Sequence, residues 1–400
     1  NNTGANLNIA IGNSAGTNLT GNGIQDAEDN VLIGTCAGIA MTTSRSNVII
    51  GAKAGIAVSG HYATANTLLG YAAGQDIRGN NNIAIGNISL YQVCTTTSNN
   101  NIGIGLKAGR QQGFKKSVYN VSVGALAGDN NVGGCCNVYV GVFAGRNTGT
   151  GPNDEGCGNT MLGHDAGSQV TDVTNFCNNV LLGVRAGYFT KGLGITTSFA
   201  RNVIIGSCAG VLSRGSCNIY IGPEAAHTDV FTGGSFCNIG DSNIGIGQSV
   251  QMPDRLGSNQ LAIGQTSQYW ITGDQSFNVG IGSTIPQTKL DVGGSFNVSG
   301  VSTFGDDVQF RDMVRFGRPH CAGVEDGIPA RFIAYNGNAA FPRRIQLTNS
   351  NLLIDPMMQF RFGCSGNELR IYSAQHVVNG NFVAGRGQIL FGTGLGDGGP

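Results

Sequence analysis

Apolar residues in the first 282 positions come in pairs two apart, each pair preceded by Asn and closed by Gly. The stretch Asn47-Val48-Ile49-Ile50-Gly51-Ala52-Lys53-Ala54-Gly55 shows the frame in full, and positions 30–38 and 202–210 repeat it with drift. Fifteen such frames lie between Gly12 and Gly282. Fourteen of them keep Asn four places before the Gly; in the frame closed by Gly264, Gln260 takes that place and Asn259 sits one earlier. A recurrence averaging about 19 residues is the mark of a solenoid, where a repeat buries its apolar face only against its neighbours.

Each part of the frame has a physical reading. Ile/Val-x-Ile/Val is β-branched with period two and reads as a short strand. Asn tolerates turn conformations and can stack as an amide ladder on the Asn of the next turn. The closing Gly supplies a sharp corner or a close backbone approach. In the x-x-Ala-Gly that follows, only Ala is offered to the interior. Within the opening frame this assigns Asn47 to the ladder, Ile50 to the core and Gly51 to the corner. Spacing between closing glycines is uneven, shortest from Gly70 to Gly86 and longest from Gly222 to Gly247, which puts insertions on one outer face. The expected fold is all-β: a β-solenoid or β-roll of about 15 turns over residues 1–282.

The period then changes. Leu290/Val292, Phe296/Val298, Ser302/Phe304, Val308/Phe310 and Val314/Phe316 form pairs at every sixth position, with Ser302 their one polar member. Gly, Ser and Asp fill the corners between them, which opposes a helix. Two inward side chains per strand and one turn per six positions suit a narrow triangular β-prism built from three chains. One chain of this length cannot cover the faces of Phe304, Phe310 and Phe316, so residues 283–318 are expected to form a connector and a trimeric shaft.

Beyond residue 318 the composition shifts. Residues 283–400 are 118 of the 400 positions but hold 12 of the 29 aromatics and 10 of the 23 basic residues. Alternating segments at 331–335, 344–347, 359–362 and 369–372 read as half-buried antiparallel strands, with residues 363–367 as the hairpin loop between the last two. Residues 319–400 are therefore expected to be a small β-sandwich-like tip, ending in a Gly-rich tail from Gly392.

Composition narrows the function classes. With 23 basic and 23 acidic residues, the chain lacks the electrostatic footprint of a nucleic-acid binder or a polybasic membrane anchor. No stretch reaches the roughly 18–20 apolar residues of a membrane-spanning helix. The chain opens on Asn1 without Met, as part of something longer would. Eleven cysteines occur with no C-x-x-C pair, and several hold matching repeat positions: Cys36 and Cys208, Cys136 and Cys217, Cys157 and Cys177. Repeat-locked placement suits a small buried hydrophobe. Stacking would bring Cys157 and Cys177 to the strand spacing of about 5 Å, which allows a disulfide without requiring one. Metal-ligand spacing is absent, and no cofactor is expected.

The array resembles the Asn-x-x-Ile-Gly-x-x-Ala-Gly repeats of phage tail-fibre proteins, marine cyanophage fibres in particular, and more distantly the heads of trimeric autotransporter adhesins. The stretch Val279-Gly280-Ile281-Gly282-Ser283-Thr284-Ile285-Pro286-Gln287-Thr288-Lys289-Leu290-Asp291-Val292 likewise resembles the connector that joins repeat regions to shafts in such fibres. The resemblance of the array spans positions 1–282, most of the chain. It implies a homotrimeric fibre of the virion that contacts other tail or fibre proteins and adheres to a host-surface glycan or protein. Exposed aromatics and Arg are the usual chemistry of binding hot spots. Candidate receptor contacts are thus Tyr335, Arg343, Arg344, Arg361, Arg370, Tyr372 and His376 at the tip. Tyr269 and Trp270, near the solenoid end, read as a sugar-stacking platform or as a cap over the last turn.

Catalytic motifs are weak. Gly12-Asn13-Ser14-Ala15-Gly16 matches the G-x-S-x-G elbow, yet it is one copy of the repeat frame without the long strand and helix that an elbow needs. The five His residues are scattered, and paired carboxylates such as Asp306-Asp307 fall in expected turns. The chain is expected not to be an enzyme. Two alternatives stay open: a bacterial adhesin stalk or self-assembling extracellular filament, and a tailspike that depolymerises a polysaccharide.

Overall fold

The computed structural model describes residues 7–299, except 21–26, 57–62, 92–97, 111–116, 132–133, 149–155, 170–172, 190–196, 228–239 and 267. It further describes Ser302 and the strands Ile371–Val378 and Asn381–Ile389. Among the described residues every regular element is a strand.

The Asn-x-x-Ile-Gly frame builds a parallel β-solenoid. Fourteen strands, from Ile9–Ile11 to Leu261–Gln265, stack one per turn in parallel, each in register with the next. Val31 lies over Val48, Leu32 over Ile49 and Ile33 over Ile50, and that correspondence carries through the array. Corners are bonded along the axis as well: Cys36 N–H donates to Asn13 O, and Lys53 N–H to Thr35 O, at 2.8 and 2.9 Å. Short parallel pairs, Ser117–Val118 with Gly134–Cys135 and Val173–Asn175 with Thr197–Ser198, belong to the return wall.

Asn runs up the inside of this stack as an amide ladder. Asn101 is representative: its Nδ2 donates to Asn82 Oδ1 at 3.1 Å and to Ser117 O at 2.8 Å. Its Oδ1 accepts from Asn120 N at 3.1 Å and Asn120 Nδ2 at 3.2 Å. Each amide thus ties its own turn to the ones above and below, and its second N–H reaches across to the return wall. Ten consecutive side-chain links run from Asn8 to Asn202. From Asn218 onward, backbone N–H groups carry the link to the preceding amide oxygen. Gln260, one methylene longer, turns aside and exchanges two hydrogen bonds with the backbone of Asp254.

Gly is required at the corner by both conformation and space. Gly34 has φ +133°, and a Cβ there would lie 2.6 Å from the C and O atoms of Gly51 in the next turn. The Ala-Gly that follows closes the core from the other side. Ala54 is fully buried, and at Gly55 (φ +61°) a Cβ would meet Ile49 Cδ1 at 2.7 Å. Side chains compensate where the inner strand position shrinks. Above Ala84, Gly103 faces Leu90, which stands where other turns have the second Gly. Gly245 is filled in the same way by Met252 and Tyr220.

One expectation is reversed by the stack. Ile50 is not a core residue: Ile49 is buried, while Val48 and Ile50 face outward. The reason is parity. Asn47 points inward to reach the ladder, so in a strand of period two residues 47 and 49 are inside, 48 and 50 outside.

The array also ends differently from a uniform run of about 15 turns. After Gly264 the sequence Gln265-Thr266-Ser267-Gln268 lacks the Ala-Gly that closes a corner. Gln268–Gly273 instead folds back antiparallel on Leu261–Gln265, and Val279–Ile281, the fifteenth frame, pairs antiparallel with it. The connector then resumes the parallel pattern, Val279 over Leu290 and Ile281 over Val292. Asp291 holds this connection, accepting from Ser283 Oγ at 3.0 Å and Gln287 N at 3.3 Å.

The chain divides into two units, Asn1–Asn297 and Val298–Pro400. In the second, Ile371–Val378 and Asn381–Ile389 form an antiparallel hairpin with a register shift between Ser373 and Gln375. The strand expected at 369–372 is therefore longer than its pattern suggested, and its partner lies downstream. The expected strands at 331–335, 344–347 and 359–362, the loop at 363–367 and the shaft residues Phe304, Phe310 and Phe316 lie outside the described residues.

Candidate interaction surface

Outward parity of the strand positions gives the described residues an extended apolar surface. The first and third residues of the fourteen parallel strands form two columns, and 26 of these 28 positions are Val, Ile or Leu, Thr67 and Thr160 being the exceptions. None of the 28 is buried; Ile11 is 58% exposed and Ile104, in mid-array, 37%. At the usual strand spacing of about 4.8 Å, thirteen steps make a stripe about 60 Å long. Two columns with their side chains span about 10 Å, so the stripe covers on the order of 600 Å², the upper end for a monomer surface. It carries no charged side chain.

Apolar exposure continues in the connector. Ile281, Leu290 and Phe296 are exposed, Phe296 to 66%. Leu290 and Val292 pair with Val279 and Ile281, whereas Phe296 and Val298, the next pair at six-residue spacing, have no strand partner among the described residues; they fall in the expected shaft at residues 283–318.

The sequence-named contacts separate. Tyr269 is partly buried and packs against the core cluster whose last member along the chain is Ala262, in keeping with the cap reading. Burial pushes its phenol above the ordinary value, opposed by nearby Arg255. Trp270, its neighbour on the strand, faces outward and is 68% exposed. Tyr372 and His376 occupy the hairpin strand Ile371–Val378, opposite Gln388 and Val383. Tyr335, Arg343, Arg344, Arg361 and Arg370 lie outside the described residues.

None of the seven described cysteines is buried, although Cys208 packs against Val211 and Leu212. Cys36 and Cys208 sit at αL corner positions (φ +58° and +55°) and are half-buried, while Cys136 and Cys217 are exposed. The reading of these as small core hydrophobes is therefore corrected: the interior at the corners is filled by the Ala column. Ser14 is likewise a corner residue at φ +59°, its Oγ donating to Asn13 Oδ1 at 2.9 Å, so the elbow motif here is corner geometry. Among the described residues no group of three or more His, Cys, Asp or Glu could hold a metal ion, and no helix is long and apolar enough to cross a membrane.

One buried ion cluster crosses three turns. Asp129, almost wholly buried, accepts from Arg110 Nε at 2.7 Å, and Arg146 Nε lies 3.9 Å from its other oxygen. Its partners come from the turns on either side, which makes it an axial tie rather than a cleft. No protein-family model matches the chain, nor does any curated protein or solved structure.

Proposed function

We propose that the chain is a structural and receptor-binding component of a fibre, a rod in which copies of this chain cover one another's apolar stripes. The observation that carries this reading is the stripe itself. Its pitch and length are those of the solenoid, so a second copy is the partner whose surface matches it along the whole run. Three copies converging on one axis would bury roughly 1,800 Å² in total, about 600 Å² for each pair of chains, to which the shaft adds its own contacts to approach the range of about 1,200–2,000 Å² for a stable pairwise interface. The exposed pairs that begin the shaft favour the same three-chain arrangement, as does the resemblance to trimeric tail fibres.

On this reading the solenoid is a stiff spacer, and recognition of a host-surface glycan or protein falls to residues outside the repeat: the tip beyond residue 318 and exposed Trp270. Three tips on one rod raise avidity through effective concentration. The location follows as the virion, at a tail fibre.

Charge on the stripe tests the assembly. The double variant Ile85→Lys/Ile104→Lys is expected to dissociate the oligomer while the far-UV circular dichroism of the chain stays β-rich. An oligomer of unchanged mass would refute the assignment of the stripe. Removal of residues 319–400 is expected to abolish adsorption to host cells with the oligomer intact; unchanged adsorption would place recognition elsewhere. End-to-end polymers of the full chain would favour the filament reading.

A further inference from the structure

The return wall carries a column of three thiols. Cys135, Cys157 and Cys177 each stand two residues before the ladder Asn of three consecutive turns, Asn137, Asn159 and Asn179. Axial stacking therefore sets them one above another at the same position. The sulfurs of Cys135 and Cys157 are 2.8 Å apart, closer than the contact distance of two unbonded sulfurs. Backbone geometry repeats along the column: Cys135 N–H points at Cys157 Sγ (3.2 Å), and Cys157 N–H at Cys177 Sγ (3.4 Å). All three residues are half-buried. A strand spacing of about 4.8 Å lies within the Cα separation of about 4.4–6.8 Å that a disulfide accepts.

We propose that Cys135, Cys157 and Cys177 form a thiol–disulfide exchange site, which takes a small organic disulfide as its oxidant. The thiolate of Cys157 attacks one sulfur of the reagent, giving a mixed disulfide and releasing the first reagent thiol. Cys135, already against Cys157 Sγ, then attacks that sulfur and releases the second. Two protein thiols are oxidised, one disulfide is reduced to two thiols, and the two protons leave with them. The product staples two consecutive turns across the 22 residues that separate Cys135 from Cys157. Cys177 stands on the other side of Cys157, in line along the axis. Its thiolate can attack Cys157 Sγ and return Cys135 to the thiol, moving the staple one turn along the rod. The middle position of Cys157 is what makes both pairings available.

Trypsin cuts after Lys116, Arg146 and Arg185, so Cys135 falls in peptide 117–146 and both Cys157 and Cys177 in peptide 147–185. The full chain is incubated with 2-hydroxyethyl disulfide, alkylated and digested without reductant. The expected product is peptide 117–146 joined to 147–185 with two hydrogens lost, from chains that run as single chains in denaturing non-reducing electrophoresis. Cys136→Ser should keep this link. Cys135→Ser should lose it and give instead peptide 147–185 two hydrogens lighter and resistant to alkylation. Wild-type digests with neither that link nor an alkylation-resistant peptide 147–185 two hydrogens lighter, or with equal linkage to Cys36 or Cys208, would overturn the proposal. So would a link that survives Cys135→Ser and disappears in Cys136→Ser. The wild-type map alone is decisive if a variant fails to fold.

Discussion

Removing one rung of the amide ladder should be among the most damaging changes in the solenoid. In Asn101→Ala, Asn82 Oδ1 still accepts from the backbone N–H of residue 101 (2.9 Å), so the turn above is spared. Asn120 Nδ2 also keeps two partners, Ser117 Oγ at 2.8 Å and Gly134 O at 3.1 Å. Two groups are orphaned: the N–H of Asn120, which bonded Asn101 Oδ1, and the carbonyl of Ser117, which accepted from Asn101 Nδ2. Both lie in the buried wall, where water does not reach. An unsatisfied buried polar group costs about 1–3 kcal/mol, so the expected loss is about 2–6 kcal/mol. The same truncation at Asn8 orphans Asn30 N–H and Ala27 O, both in fully buried residues, and should cost a similar amount. Solenoids unfold by segments, so local hydrogen exchange measured by mass spectrometry is the appropriate assay. Amides of residues 98–124 should exchange faster in Asn101→Ala by the corresponding factor. Asn101→Asp adds a signature of its own. The carboxylate would face Asn82 Oδ1 and Ser117 O, two acceptors, so its pKa rises in the folded state and the variant regains stability as pH falls toward 4. If those amides in Asn101→Ala stay within about 0.5 kcal/mol of wild type, the range of an ordinary surface substitution, the ladder is packing and not a hydrogen-bonded spine.

Three further outcomes follow from the same structure. Gly34→Ala should destabilise by about 3–5 kcal/mol through strain and collision with Gly51, whereas Gly294→Ala, with no atom within 4 Å, should be neutral in thermal unfolding. Buried Tyr139 and Tyr220 have phenols held above the ordinary value by desolvation, Tyr220 pushed up to about 12. Below pH 10 both states keep these protons; above it the unfolded chain loses them first, so stability should fall between pH 10 and 12, with both phenols absent from the folded ultraviolet titration. Tyr269→Ala should open the end of the core and lower thermal stability. Trp270→Ala should leave it within about 0.5 kcal/mol, and emission from this sole Trp should be solvent-like and readily quenched by acrylamide.

The repeat made most of the architecture legible, because every element of the frame acts through its neighbours in the stack. Asn47, Gly51 and Ala54 each do in the structure what their residue types require. What the pattern left ambiguous was facing. Val-x-Ile alternates either way, and apolar pairs ordinarily mark the inside of a sheet. Only the inward Asn fixes the phase, and taking Asn47 as an interior residue would have placed Val48 and Ile50 outside. The cysteine positions failed for a related reason: burial was inferred from repetition, although a recurring place on a wall can face either side. The reversal at Gln268–Gly273 left a trace in the missing Ala-Gly after Gly264, which the count of frames passed over. The hairpin strands Ile371–Val378 and Asn381–Ile389 are long and partly polar, with two glycines in the second, so alternation revealed only the start of the first.

The apolar stripe is the feature on which the functional account depends, and the mass of the chain in solution tests it most directly. Sedimentation equilibrium of the full chain at micromolar concentration should return three times the chain mass of 41.2 kDa. A single-chain mass at that concentration, with the solenoid folded, would contradict the account.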